Sequence, residues 1–126
     1  MEEVLKYMAS SDANGNSLEG SKNYRLHLPP NIPVRNFWSV IVYDALTNLI
    51  IHTDQPWPSV HSQSRKLVIN QNGSIDVYFG PTALASEENN WIQTNPGKNW
   101  WMILRLYGPL ESWLDDTWRP GKIEEL

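Results

Sequence analysis

Cysteine is absent from this sequence, which removes a disulfide framework, a thiolate zinc site and a thiol nucleophile together and leaves the redox compartment undecided. Charge is scarce as well. Of the 126 residues 19% are charged, the formal net charge is −4, and there is no basic stripe of the kind a polyanion binder carries, which speaks against nucleic acid. No apolar run reaches the roughly 18–20 residues of a membrane span, and Glu2 and Glu3 spoil the basic start of a signal peptide. The sequence has no glycine-rich phosphate loop, no His-Glu-x-x-His pair, no Gly-x-Ser-x-Gly elbow and no repeat of fixed period. A single domain of this length buries about two-thirds of its unfolded surface and needs neither metal nor disulfide to fold.

What is present is a string of short apolar runs cut by turn residues. Val4, Leu5 and Met8 have helical spacing, so residues 1–14 are expected to form a short helix and turn, with Asn14-Gly15 as the bend. From Tyr24 the period becomes two: Tyr24, Leu26 and Leu28 alternate with Arg25 and His27 until Pro29-Pro30 stops the strand. Phe37 to Tyr43 is the most apolar run and reads as a central strand covered on both faces, returning through a turn at 44–48 into a strand over Leu49 to Thr53. Asn72-Gly73 predicts a type I′ hairpin between strands at Lys66 to Asn70 and Ser74 to Phe79. Ala83 to Asn90 reads as a polar loop or helical turn, Trp91 to Thr94 as a short strand and Asn95 to Lys98 as a tight turn. Trp101 to Tyr107 is a second buried strand, and Glu111 to Asp116 one helical turn with Leu110, Trp113 and Leu114 on its apolar side. With no βαβ rhythm, the pattern predicts an all-β fold over residues 15–126, a β-sandwich or jelly-roll-like barrel with short helical turns near the termini.

The charge is unevenly placed. Residues 1–21 and 111–126 each carry a balance of −3, and the body between them +2, so acidic ends flank a mildly basic middle.

Four runs carry a family pattern: residues 23–47 (NYRLHLPPNIPVRNFWSVIVYDALT), 76–81 (DVYFGP), 90–113 (NWIQTNPGKNWWMILRLYGPLESW) and 117–126 (TWRPGKIEEL). Together they resemble the domain of unknown function 1214, over nearly all of residues 15–126. The resemblance implies a β-sandwich of jelly-roll type, usually the C-terminal partner of a second domain of unknown function, numbered 1254. It also implies homo-oligomers, frequent export in bacteria and occurrence in large DNA viruses. It carries no catalytic residue and no cofactor. Against that two-domain pattern, the chain is expected to be either a stand-alone version or a fragment.

Tryptophan is the compositional anomaly, with seven at 38, 57, 91, 100, 101, 113 and 118, each able to bury roughly 150–250 Å². Trp38 and Trp101 are placed in the core. Trp57, in a proline loop, and Trp113 and Trp118, near the C-terminus, are candidates for pinning loops, for a protein interface or for stacking on a sugar. His27, His52 and His61, with Asp44 or Asp54, match no local metal spacing and read as ordinary histidines. Asn72-Gly73-Ser74 is a formal glycosylation sequon that its turn role explains without modification. Arg25 and Arg105 interrupt apolar patterns, and an arginine among apolar side chains demands a carboxylate or a bound anion.

These readings make the chain first an assembly or protein-interaction module, a homo-oligomer or the partner of a domain like 1254, with Trp113 and Trp118 at the interface. The alternative is an enzyme or small-ligand binder whose pocket is lined by Arg25, Tyr43, Asp44, Trp57 and Arg105. A carbohydrate-binding module using exposed tryptophans is the third.

Overall fold

The computed structural model describes residues 3–84 and 87–126 and forms two four-stranded sheets packed face to face, open at both sides rather than closed into a barrel. The strands are β1 (Val4–Ala9), β2 (Tyr24–Leu28), β3 (Val34–Asp44), β4 (Ser59–His61), β5 (Ile75–Gly80), β6 (Trp91–Gln93), β7 (Trp100–Pro109) and β8 (Glu124–Glu125), with one helical turn, α1 (Glu111–Leu114), between the last two. Sheet 1 has the order β1-β7-β3-β4 and sheet 2 the order β6-β5-β2-β8. All pairings are antiparallel except β5 with β6. No helix among the described residues is long and apolar enough to cross a membrane.

Alternation builds the core. Tyr24, Leu26 and Leu28 of β2 and Ile75, Val77 and Phe79 of β5 point inward from sheet 2, meeting Trp38, Val40 and Val42 of β3 and Met102, Leu104 and Leu106 of β7. Trp100 is the central plug, 1% exposed, packed edge-on against Tyr24 at 5.6 Å and tilted against Phe79 at 4.7 Å. Gly20 brings the 19–22 turn against the 95–98 turn, where a Cβ would lie 1.8 Å from the Asn95 carbonyl oxygen. Gly97, at φ +81°, supplies the left-handed position that Pro96-Gly97 turn chemistry requires. At the other end the buried Trp118 donates its indole N–H to the carbonyls of Pro29 and Pro30, at 3.1 and 3.2 Å.

Several expectations are corrected. Residues 4–9 are not a helix: they form β1, in register with β7 from Val4 opposite Tyr107 to Ala9 opposite Met102, because the ladder offered by β7 satisfies backbone groups that one helical turn would leave unpaired. The first two residues of that expected helix lie outside the described residues. Leu49 to Thr53 is reduced to a single bridge, Tyr43 with Ile50, and β3 takes β4 as its neighbour instead. Lys66 to Asn70 is no strand, since the Asn90 side chain holds both backbone groups of Val68 at 2.9 Å and β5 pairs with β2. The Asn72-Gly73 bend is therefore not a type I′ hairpin; only Gly73 has positive φ, and Gly73 N–H bonds the Asn70 carbonyl. Within Ala83 to Asn90, Ala85 and Ser86 lie outside the described residues, and Glu88–Asn90 is a single 3-10 turn. In α1, Trp113 packs against the core while Leu114 is exposed.

The tryptophan phase in β7 is also one residue off expectation. Trp100 faces the core, whereas Trp101 faces outward and stacks on Tyr43 at 4.5 Å. Trp100→Ala is expected to cost about 3–5 kcal/mol in a urea titration, and Trp101→Ala only about 1–2 kcal/mol, because Trp101 lies outside the core cluster and packs on the outer face against Tyr43.

Candidate functional site

The two outer faces of the sandwich differ in chemistry. On sheet 2 the outward positions of β2 and β5 are Arg25, His27, Asp76 and Tyr78. Their charges are paired: His27 Nδ1 lies 2.7 Å from Asp76, and Arg25 lies 3.7 Å from Glu124. Asn70 donates to the second Asp76 oxygen at 3.1 Å, which fixes the carboxylate and ties the 66–74 segment to the sheet. Burial pushes the Tyr78 phenol up, the negative charges of Asp76 and Glu87 add to this, and Arg25 opposes it. Burial also raises the Glu87 carboxyl, against the pull of Arg25.

On sheet 1 the outward positions are Val4, Lys6 and Met8 of β1, Trp101, Ile103, Arg105 and Tyr107 of β7, Phe37, Ser39, Ile41 and Tyr43 of β3, and Ser59 and His61 of β4. These side chains pack on one another. Phe37 meets Tyr107 edge-on at 5.2 Å and His61 at 5.4 Å. Ile103 is only 6% exposed yet stands apart from the core cluster, so its own outer-face neighbours cover it. A shallow groove of about 350 Å³ runs between Phe37, Ile41, Tyr107, His61 and Trp57. Trp57 stands 77% exposed on its wall. Its loop is buckled to β6 by Gln55, whose side chain donates to the Trp91 carbonyl at 3.1 Å and accepts from Gln93 N–H at 2.8 Å, as another strand would. His61 Nδ1 accepts the Gln63 N–H at 3.1 Å, which leaves the ring proton on Nε2 when the ring is neutral.

Arg105 lies in the middle of this face. Its Nη2 donates to the Tyr43 hydroxyl at 2.9 Å and its guanidinium sits 5.9 Å from the Tyr43 ring centre. Its Nη1 is buried with no hydrogen-bond partner, as is the Trp101 indole nitrogen.

The five residues expected to share one pocket therefore divide between two faces. Tyr43, Trp57 and Arg105 stand on the outer face of sheet 1, with Tyr43 and Arg105 in contact. Arg25 is on the far side of the sandwich, and Asp44 spends its carboxylate on the N–H groups of Leu46 and Thr47 at 2.8 and 3.4 Å, capping the turn after β3. Trp113 is half-buried between Tyr7 and Trp118 with the Arg119 guanidinium 4.1 Å above its ring, while Trp118 is buried within the chain. Trp57, Trp113 and Trp118 thus form no shared exposed platform. His27, His61 and His52 lie on sheet 2, on sheet 1 and in the loop after β3, and do not converge. Sequence reasoning passed over Phe37, Ile41 and Tyr107 as site residues and read His61 as an ordinary histidine; the signal for the first three was the largely apolar character of β3 and β7.

The family model described as a protein of unknown function, DUF1214, matches residues 3–111. The VPA0106 protein of Vibrio parahaemolyticus has a similar crystal structure, with a TM-score of 0.82 at 22% identity over 98% of this chain and 31% of its own. A putative uncharacterized protein from Burkholderia cenocepacia matches with a TM-score of 0.61 at 19% identity, over 98% of this chain and 29% of its own. This chain thus spans about a third of the length of either protein, and at these identities the likeness establishes the fold alone. No curated protein matches it.

Because the folded state favours the neutral Tyr24 and Tyr78 phenols, the unfolded chain ionises first and stability falls as pH rises past about 10. Urea midpoints measured between about pH 8 and 11 are expected to decline, and Tyr78→Phe to lessen that decline.

Proposed function

We propose, for a chain that belongs to the DUF1214 family and inherits no known reaction from it, that it is an interaction module docking through the outer face of sheet 1. The observation that carries this is the contrast between the two outer faces. Sheet 2 presents paired charges to water, whereas sheet 1 presents mostly aromatic and aliphatic side chains, from the exposed Met8 through the half-buried Tyr107, Phe37 and Ile41 to the exposed Trp57, with Ile103 packed beneath them. Strands apolar on both faces belong to sheets covered on both faces, and a contiguous apolar patch on an otherwise polar fold is the usual mark of a binding surface. On this reading the occupant is a second copy of the chain or a neighbouring domain such as the one numbered 1254.

A second reading draws on the groove beside Trp57. Ser39, Ser59 and the Nε2–H of His61 give it polar groups beside aromatic walls, the composition of a small-ligand site. It shares the same face, so occupancy by a ligand and by a protein partner would compete.

Light scattering over a concentration series tests the docking reading. The chain is expected to associate as concentration rises, and Ile41→Asp, which sets a charge in the middle of the face without touching the core, is expected to hold it as a monomer with unchanged circular dichroism. A chain that stays monomeric throughout would remove the second copy as occupant. Association that Ile41→Asp leaves intact would place the contact elsewhere.

A further inference from the structure

We propose that the partner of this face is a polypeptide segment that brings a carboxylate to Arg105 between apolar side chains; the inference rests on the docking reading above. Three observations support it. Apart from the exposed Arg35 at the irregular start of β3, the outward rows of β1, β3, β4 and β7 carry two bases, Lys6 and Arg105, and no acid. Neither base has an ion-pair partner among the described residues, whereas Arg25 and His27 on sheet 2 are both paired. The Nη1 of Arg105 is buried without an acceptor while its Nη2 is held by Tyr43.

An arginine fork matches a carboxylate in two parallel hydrogen bonds. In the free chain, one arm of that fork is buried beside Lys6 and Ser39, the residues opposite Arg105 on the neighbouring strands, without an acceptor, and an unmet buried donor is costly. A carboxylate arriving from outside offers Arg105 the acceptor it lacks, and turning the guanidinium toward it relieves the unmet donor. The free energy so released belongs to the bound state alone, which is the condition for a specific contact. Apolar neighbours on the partner would cover Ile41 and the Trp57 wall, exclude water and strengthen the ion pair. A phosphate would also accept from Arg105, but it brings no apolar flanks for the aromatic rim. The acidic, apolar peptide is the occupant that satisfies both features.

A library of random dodecapeptides displayed on phage, selected on the immobilised chain, tests this without presupposing a sequence. The enriched peptides are expected to carry Asp or Glu flanked by aromatic or aliphatic residues. Their binding is expected to fall at least about tenfold on Arg105→Met, which keeps the apolar stem and removes the fork, and to weaken with salt. Enriched peptides without an acid, or acidic ones that bind Arg105→Met as well as the parent, would overturn the proposal. The control is Ile41→Asp. Acid-free peptides that lose binding on it would leave the docking face standing and remove only the acidic partner. Peptides indifferent to it, or no enrichment at all, would overturn both readings. Circular dichroism of each variant establishes that the fold is retained.

Discussion

The architecture depends on the pairing of β3 with β7. These are the two longest strands, eleven and ten residues, and they lie side by side in the middle of sheet 1, in antiparallel register from Phe37 opposite Tyr107 to Asp44 opposite Trp100. β1 and β4 attach to their outer edges. On the inner side the pair presents Trp38, Val40, Val42, Trp100, Met102, Leu104 and Leu106 to sheet 2, and this apolar contact holds the two sheets together. On the outer side the same pair presents Phe37, Ile41, Tyr43, Trp101, Ile103 and Tyr107. An apolar run in a sheet with one wet face should alternate with polar residues. These two strands do not alternate, so the sequence supplies for sheet 1 the material of a covered sheet, while the described chain covers one side of it.

That double-faced character explains what could be read from the sequence and what could not. β2 was legible because its alternation is clean, with Arg25 and His27 marking the wet side. The run at 100–107 announced a strand but hid its phase, since most of its residues are apolar whichever way they point. Arg105 held the missing information. Residues two apart share a face, so an outward Arg105 sends Trp101 outward with it and Trp100 inward. The N-terminal segment was misread for a different reason. Val4, Leu5 and Met8 fit a helix locally, and the partner that makes them a strand, β7, lies about a hundred residues further along the chain. Lys66 to Asn70 failed in the same way, because the Asn90 side chain, and no strand, takes up the backbone groups of Val68.

The candidate site was half legible. Tyr43, Trp57 and Arg105 could be singled out by type, an aromatic at a strand end, an indole in a proline loop and a cation in an apolar run. Which of them meet is a property of sheet order, and sheet order is set by non-local pairing that composition does not encode. Arg25 reads much like Arg105 in sequence, an arginine inside an apolar alternation. The fold leaves each with one buried nitrogen unmet but gives them different partners. Arg25 has Glu124 on β8 beside it, supplied by the acidic C-terminal end, while Arg105 has Tyr43 and no carboxylate. The acidic ends noted in the sequence are thus partly spent on sheet 2, where Glu125 also pairs with Lys22 at 3.4 Å. Among the described residues, no ion pair of this kind forms on the outer face of sheet 1.

This partition of charge matters for how the outer face can be specific. Apolar area drives association but says little about register, because an aromatic surface accepts many arrangements of similar area. A single cation set within that area does the opposite. It contributes little net affinity once desolvation is counted, yet it penalises every arrangement that leaves it covered without an acceptor. The same argument accounts for the chain tolerating Arg105 on this face at all. While the face is open, the guanidinium keeps one bond to Tyr43, lies near its ring and belongs to a side chain that is only partly buried. Once the face is covered, only a partner with a matching carboxylate avoids a buried, uncompensated charge. Rejection of unmatched partners, more than attraction of the right one, is what an arginine in the middle of β7 supplies.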